Sequence, residues 1–135
     1  MSIYTYTTLD DPLATDLTVA QGINGVGQIV GSYHNDSGDH GFLLSGGAYT
    51  TLDDPSATNG TTAFGINATG QIVGAYGNAT GTQGFLLSGG TYTTLDDPLA
   101  TNGTAAFGIN GSGQIVGYFN SAGGTHGFVR DANGT

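Results

Sequence analysis

Apolar and polar residues along this chain keep no helical spacing. No window sustains apolar positions at i, i+3 and i+4, and glycine interrupts every stretch. Short runs of β-branched, aromatic and aliphatic residues alternate instead with small polar turns. Tyr49-Thr50-Thr51-Leu52 is one such run. Asp53-Asp54-Pro55 ends it, because proline cannot donate to a sheet ladder and aspartate favours turns. Residues 56–62 form a polar loop. Ala63-Phe64-Gly65-Ile66 is the next strand, and the two-residue side-chain repeat predicts Phe64 and Ile66 on one face. A turn over Asn67–Gly70 leads into Gln71–Tyr76, and both Asn and Gly tolerate the positive φ of a tight hairpin. After a polar loop, Gly84–Ser88 is a fourth strand, and Gly89-Gly90 turns it directly into Tyr92–Leu95.

The pattern repeats every 43 residues. Tyr6, Tyr49 and Tyr92 each open Tyr-Thr-Thr-Leu-Asp-Asp-Pro, while Ile23, Ile66 and Ile109, Gln28, Gln71 and Gln114, and Phe42, Phe85 and Phe128 hold register. A fixed period of this length marks a repeat architecture. The expectation is an all-β chain, a single repeat domain over residues 1–135, with units at about 6–48, 49–91 and 92–135. Each unit supplies four short antiparallel strands, about twelve in all. Fourth and first strands, joined by the two-glycine turn, should pair. A first strand at Tyr4–Leu9 and a last one at Gly127–Arg130 are then left wanting partners. Unpaired edges invite aggregation, so a closed arrangement is favoured. A β-propeller uses one four-stranded sheet per blade and typically about four to eight blades. Three units would give a six-bladed propeller as a homodimer joined through the terminal strands. The alternative is a monomeric β-trefoil or β-prism. Glycine within strands favours the propeller, in which both faces of each sheet pack closely.

Composition narrows the partners. Hydrophobic residues are 37% of the chain and 26 positions are Gly, a balance that elsewhere signals disorder. Here the glycines recur at fixed places and only 8% of residues are charged. The 10 acidic residues are all Asp, Arg130 is the one basic residue, and the net charge is -9. That excludes nucleic acid, whose phosphates need clustered Lys and Arg, and disfavours an anionic membrane. Cations and neutral polar ligands such as carbohydrate remain compatible. The absence of cysteine removes disulfides, thiolate metal sites and a Cys nucleophile. No apolar run approaches the ~18 residues that a bilayer span needs. Met1-Ser2-Ile3 runs straight into repeat sequence, so no signal peptide is expected.

Two motifs recur together. One is Gly-Ile-Asn-x-x-Gly-Gln-Ile-Val-Gly, at Gly22–Gly31, Gly65–Gly74 and Gly108–Gly117; the other is His40-Gly41-Phe42-Leu43 with His126-Gly127-Phe128-Val129. Over essentially its whole length the chain resembles the bacterial HAF-type extracellular repeats, which carry both. The departures are Gln83 in place of His, and Val129-Arg130-Asp131 where the other units read Leu-Leu-Ser. The resemblance implies a propeller-like repeat from secreted or cell-surface proteins. It implies no catalytic or ligand-binding residues. The near-identity of the copies fits three repeats excised from a longer chain, or engineered.

The chemical candidates are the aspartate pairs Asp10-Asp11, Asp53-Asp54 and Asp96-Asp97. Repeated carboxylates at strand ends could gather around an axis and take a hard cation such as Ca²⁺. Equally, Asp before Pro caps a turn and binds nearby amides. As glycosidase carboxylates the pairs fare poorly, because adjacent residues of an extended strand point to opposite faces. His40, Gln83 and His126 share a register, and a Gln there speaks for a shared hydrogen bond over a metal site. Ser and Asp are scattered through every loop, so no Ser-His-Asp arrangement stands out. Tyr6, Tyr49, Tyr92, Tyr33, Tyr76 and Phe119 read as core or cross-strand aromatics before they read as a ligand groove. The expectation is a non-catalytic scaffold or binding module, not an enzyme, without a cofactor unless Ca²⁺ is bound. A lectin-like carbohydrate-binding protein with three equivalent sites is the alternative.

Overall fold

The computed structural model describes residues 3–132. Among them it contains strands and turns but no helix. The first sheet runs in the order β1 (Leu17–Ile23), β2 (Ile29–Asn35), β3 (Gly38–Ser45), β4 (Ala48–Leu52). The second repeats it as β5 (Thr61–Ile66), β6 (Ile72–Asn78), β7 (Gly81–Ser88), β8 (Thr91–Leu95). The third has β9 (Thr104–Ile109), β10 (Ile115–Ser121) and β11 (Gly124–Arg130). All neighbours are antiparallel.

Each complete sheet therefore takes three strands from one sequence unit and its outer strand from the next. The two-glycine turn does join paired strands, with Ser88 opposite Thr91. Gly89 and Gly90 have φ of 57° and 82°, the sign that a two-residue hairpin needs at both positions.

Three expectations change. Residues 4–9 form no strand and Tyr4 to Thr8 are exposed, so among the described residues there are eleven strands, not about twelve, and the third sheet has three. Their counterparts β4 and β8 each lie beside the third strand of the preceding unit, β3 and β7. Phe64 and Ile66 do not share a face. The ladder shifts between Ala63 and Gly65, so Phe64 is the extra residue of a β-bulge, as are Gln21 and Phe107 at the equivalent positions. Ile66 enters the core, while Phe64 stacks on Phe107 with ring centroids 4.3 Å apart. Finally, only glycine takes positive φ among the described residues, Gly70 at 85° in the hairpin turn. Asn67 serves that turn through its side chain: Oδ1 accepts from the Gln71 N–H at 2.9 Å and from the Thr69 hydroxyl at 3.0 Å.

The core lies between successive sheets. Strand β5 packs on β1, β2 and β3, and β9 packs on β5, β6 and β7. Val30 and Leu52 of the first sheet meet Ala63, Ile66, Ile72, Tyr76 and Phe85 of the second in one buried cluster. Val73 and Leu95 meet Ala106 and Ile115 in the next. Phe42 and Phe85 are fully buried, and each contributes roughly 2–3 kcal/mol of transfer free energy.

The inner strands approach backbone to backbone. A Cβ on Gly22 would stand 2.7 Å from the Phe64 carbonyl oxygen, and one on Gly65 would stand 2.7 Å from that of Phe107. Gly65→Ala is expected to destabilise the chain by about 1–3 kcal/mol, the usual cost of overpacking. Urea unfolding measures it; Gly25→Ala, where a Cβ meets nothing within 4 Å, is the control. An unshifted midpoint for Gly65→Ala would mean that the sheets do not pack this closely.

Candidate functional site

Asp53-Asp54-Pro55 leaves β4 and feeds β5, Asp96-Asp97-Pro98 leaves β8 and feeds β9, and Asp10-Asp11-Pro12 leads into β1. The two carboxylates of a pair take separate tasks. Asp54 is buried and folds the turn: its Oδ1 accepts from the Ser56 N–H at 2.8 Å and its carbonyl from Ala57 at 2.9 Å. Its own N–H donates to Thr61 Oγ1 at 3.1 Å. Asp11 repeats this with Leu13, Ala14 and Thr18, and Asp97 with Leu99, Ala100 and Thr104. This is the ordinary turn chemistry of aspartate. The second oxygens of Asp11 and Asp54 are buried without a protein donor.

Asp53 and Asp96, the first carboxylates of the second and third pairs, face the sheet before them. Asp53 Oδ1 lies 2.9 Å from His40 Nδ1 on β3. In the second unit the Gln83 amide, turned with its nitrogen toward Asp96, donates to both carboxylate oxygens. Gln thus does replace His in a shared hydrogen bond. The third unit breaks the series: His126 on β11 stacks on Phe119 with centroids 5.1 Å apart, as His40 stacks on Tyr33 at 5.1 Å. Its carboxylate by register would be the first Asp of a following pair. The corresponding Asp10 is exposed in the segment before β1.

One alignment escaped the sequence. Ser37 Oγ is 2.7 Å from His40 Nε2, so Ser37, His40 and Asp53 stand in line. The hydroxyl is also 2.7 Å from Asn35 Oδ1. The second unit tests what the line is for. Thr80, Gln83 and Asp96 keep the same order, with the Thr80 hydroxyl 3.1 Å from the Gln83 carbonyl oxygen. Gln cannot take up a proton, yet the contacts persist. The line is a tie between a hairpin turn and a strand end.

The carboxylates do not converge. Among the described residues no three His, Cys, Asp or Glu side chains lie close enough to hold a metal ion. Asp53 and Asp54 stay at the end of β4, Asp96 and Asp97 at the end of β8, and Asp10 and Asp11 in the segment before β1. Ser37, His40, Asp53 and Asn59 line a cleft of about 320 Å³ between the first two sheets. Thr80, Gln83, Asp96 and Thr101 line its counterpart of about 210 Å³.

The aromatics are mostly framework. Tyr33 and Tyr76 are buried, and each hydroxyl meets a threonine of the outer strand, Thr51 or Thr94, at 2.8 Å. Phe119 is buried at the same position. Tyr49 packs on Phe42 and Tyr92 on Phe85. Burial, with the Asp54 and Asp53 carboxylates adding to it, pushes the Tyr92 phenol up to about 12. Tyr49 is shifted up for the same reasons, with Asp11 and Asp10 as the carboxylates. Tyr6 is exposed.

The stitch between units was also missed. Asn24 Nδ2 donates to the Asn67 carbonyl at 3.0 Å, and Asn67 Nδ2 to the Asn110 carbonyl at 3.0 Å. The signal was the return of Asn every 43 residues, which the turn alone accounted for equally well.

Partial burial raises the Asp96 carboxyl above its ordinary value. Gln83→His places opposite Asp96 the imidazole that His40 places opposite Asp53. Near pH 5, where the new His is protonated, the variant is expected to gain about 0.5 kcal/mol. The gain should shrink by pH 8, as the imidazole loses its charge. Thermal melts at both values decide; equal gains would remove the ion pair from the account.

No protein-family model matches the chain, and no curated protein matches it. The likeness to HAF-type repeats stands on the two motifs quoted above.

Proposed function

We propose that the chain is a non-catalytic scaffold or binding module of the β-propeller kind, three blades per chain, closing into a six-bladed ring as a homodimer. The supporting observation is a difference between equivalent positions. Ile66 is 7% exposed beneath the first sheet, whereas Ile23 is 67% exposed. Val73 is 0% exposed beneath the third sheet, whereas Val116 is 50% exposed. The first sheet bares the face that inner strands use, and the third bares the face that receives them. A heterologous contact of this kind either closes into a ring or runs on as a filament. Six sheets lie within the usual blade range of about four to eight.

The proposed role is to present the polar clefts between blades to a ligand outside the cell or on its surface, the setting that the HAF likeness supports. Catalysis has no support in the Ser37 line, because its equivalent runs through Gln83. The first test is the native mass of the 135-residue chain. The expected result is a dimer, at twice the 13.5 kDa of one chain. A monomer sinks the ring.

A lectin-like reading has one observation in its favour: the clefts at His40 and Gln83 sit at equivalent positions and both are lined by Asp and Thr. A glycan array with and without EDTA tests it. The reading expects a neutral glycan whose binding Asp53→Asn weakens at least about tenfold, as loss of a buried polar contact does. A hit abolished by EDTA brings Ca²⁺ back to the aspartates, and no hit in either condition leaves the scaffold.

A further inference from the structure

The outer strands of the first two sheets are held in the same way. Phe42 lies opposite Thr51 and Leu43 opposite Thr50; Phe85 lies opposite Thr94 and Leu86 opposite Thr93. In each case the tyrosine of the outer strand rests on the phenylalanine of its neighbour, Tyr49 on Phe42 at 5.4 Å and Tyr92 on Phe85 at 5.5 Å. The third sheet has the receiving half of this joint. Strand β11 carries Phe128 and, among the described residues, pairs only with β10. Beside Phe128 opens a groove of about 420 Å³, lined also by Leu95, Asp96, Asp97 and Arg130. Their counterparts one unit earlier, Leu52, Asp53 and Asp54, adjoin the seat of Tyr92.

The inserting half is present too, at the other end of the stack. Residues 4–9 match β4 and β8 in sequence. Tyr6 is 93% exposed. The segment leads into β1, and β1 lies on the first sheet, with the second sheet between it and β11.

We propose that residues Tyr4–Leu9 of a second copy of this chain add to β11 as the fourth strand of the third sheet, with Tyr6 seated in the groove on Phe128. This rests on the ring reading and supplies its joint. The register follows from the two internal joints: Phe128 opposite Thr8, Val129 opposite Thr7, and Gly127 opposite Leu9. Main-chain pairing at an open edge supplies affinity, and the side-chain pocket supplies register.

Three further places are unfilled in the same sense. A Cβ on Gly41 would stand 2.8 Å from the Leu52 carbonyl oxygen and one on Gly84 3.0 Å from that of Leu95; on Gly127 the nearest atom, at 3.8 Å, belongs to β10 of its own sheet. The Leu9 carbonyl of the second copy belongs there. His126 lacks the aspartate that His40 has in Asp53, and the second copy's Asp10 falls at that position. Asn67 reaches the Asn110 carbonyl of the next unit, while among the described residues Asn110 Nδ2 donates only to Gln114 in its own hairpin. The second copy's Asn24 carbonyl is the missing acceptor. Backbone, ion pair and side-chain amide all ask for the same neighbour.

Because the chain has no cysteine, the pairing can be trapped with one pair of substitutions. In Thr7→Cys with Val129→Cys, oxidation is expected to convert the protein to a disulfide-linked dimer on a non-reducing gel. Thr8→Cys with Val129→Cys, one residue out of register, should link at least about tenfold more slowly, because neighbouring strand residues point to opposite faces. Tyr6→Ala, a change at an exposed residue of the free chain, should weaken the dimer at least about tenfold, the effect of losing an interface anchor. A native dimer that links no faster in the first variant than in the second overturns the seat and leaves the ring. So does a native dimer indifferent to Tyr6→Ala. A disulfide within one chain overturns the seat by placing the segment on its own β11. A monomer by native mass of the unsubstituted chain overturns both.

Discussion

Adjacent sheets in this protein touch backbone to backbone at their inner strands, and the remaining order follows from that distance. Gly22 and Gly65 leave no room for a Cβ because a carbonyl of the next inner strand is already there. Glycine costs conformational entropy in a strand, so its return at these positions needs such a reason. With the inner strands this close, the Asn24 and Asn67 side chains can cross to the next hairpin and bond its carbonyl. The bulge at Phe64 belongs to the same arrangement. By adding a residue it turns Phe64 out of the intersheet core and onto Phe107. Ala63 and Ile66 then face the preceding sheet, where they are buried.

Internal repetition supplies its own controls, since one environment is built with small changes of sequence. Where His40 and Gln83 occupy the same position, the surviving contact is the hydrogen bond to the following aspartate, and the dispensable feature is the imidazole ring. The same comparison separates the aspartates. The second of each pair makes the same turn bonds in all three units, whether the surroundings are buried, as at Asp54, or half-buried, as at Asp97. A carboxylate so occupied is framework. The first of each pair is freer, and it is the one that differs in partner from unit to unit.

Strand positions, pairing across the two-glycine turn and the period were legible because each depends on local chemistry: side-chain alternation, glycine at positive φ, proline after aspartate. The bulge was not legible. A strict two-residue alternation over Ala63-Phe64-Gly65-Ile66 is what the residues favour alone, and only the neighbouring sheet selects the slipped ladder. The segment at Tyr4–Leu9 shows the opposite failure. Its sequence is as strand-like as that of β4, yet a strand is defined by a partner, and within the described residues it has none. The Ser37 line could not be read because it joins a hairpin tip to a strand end 16 residues away in sequence, through a histidine between them. For the candidate site, the identity of the residues was legible and their division of labour was not.

A chain of near-identical units carries a hazard in its design. Whatever face one unit offers the next is also offered at each end of the stack, so the ends are self-complementary by construction of the repeat. Open ends of this sort propagate unless something stops them. Two features here act against propagation. In the proposed ring, closure on the first sheet ends the series. The net charge of -9 makes every added copy repel those already joined, an energy that grows with length and spares the shortest closed assembly. Arg130, the single basic residue, stands at the open edge of the third sheet beside Asp96 and Asp97. It lowers the repulsion at the one place where a strand bearing Asp10 and Asp11 would have to approach.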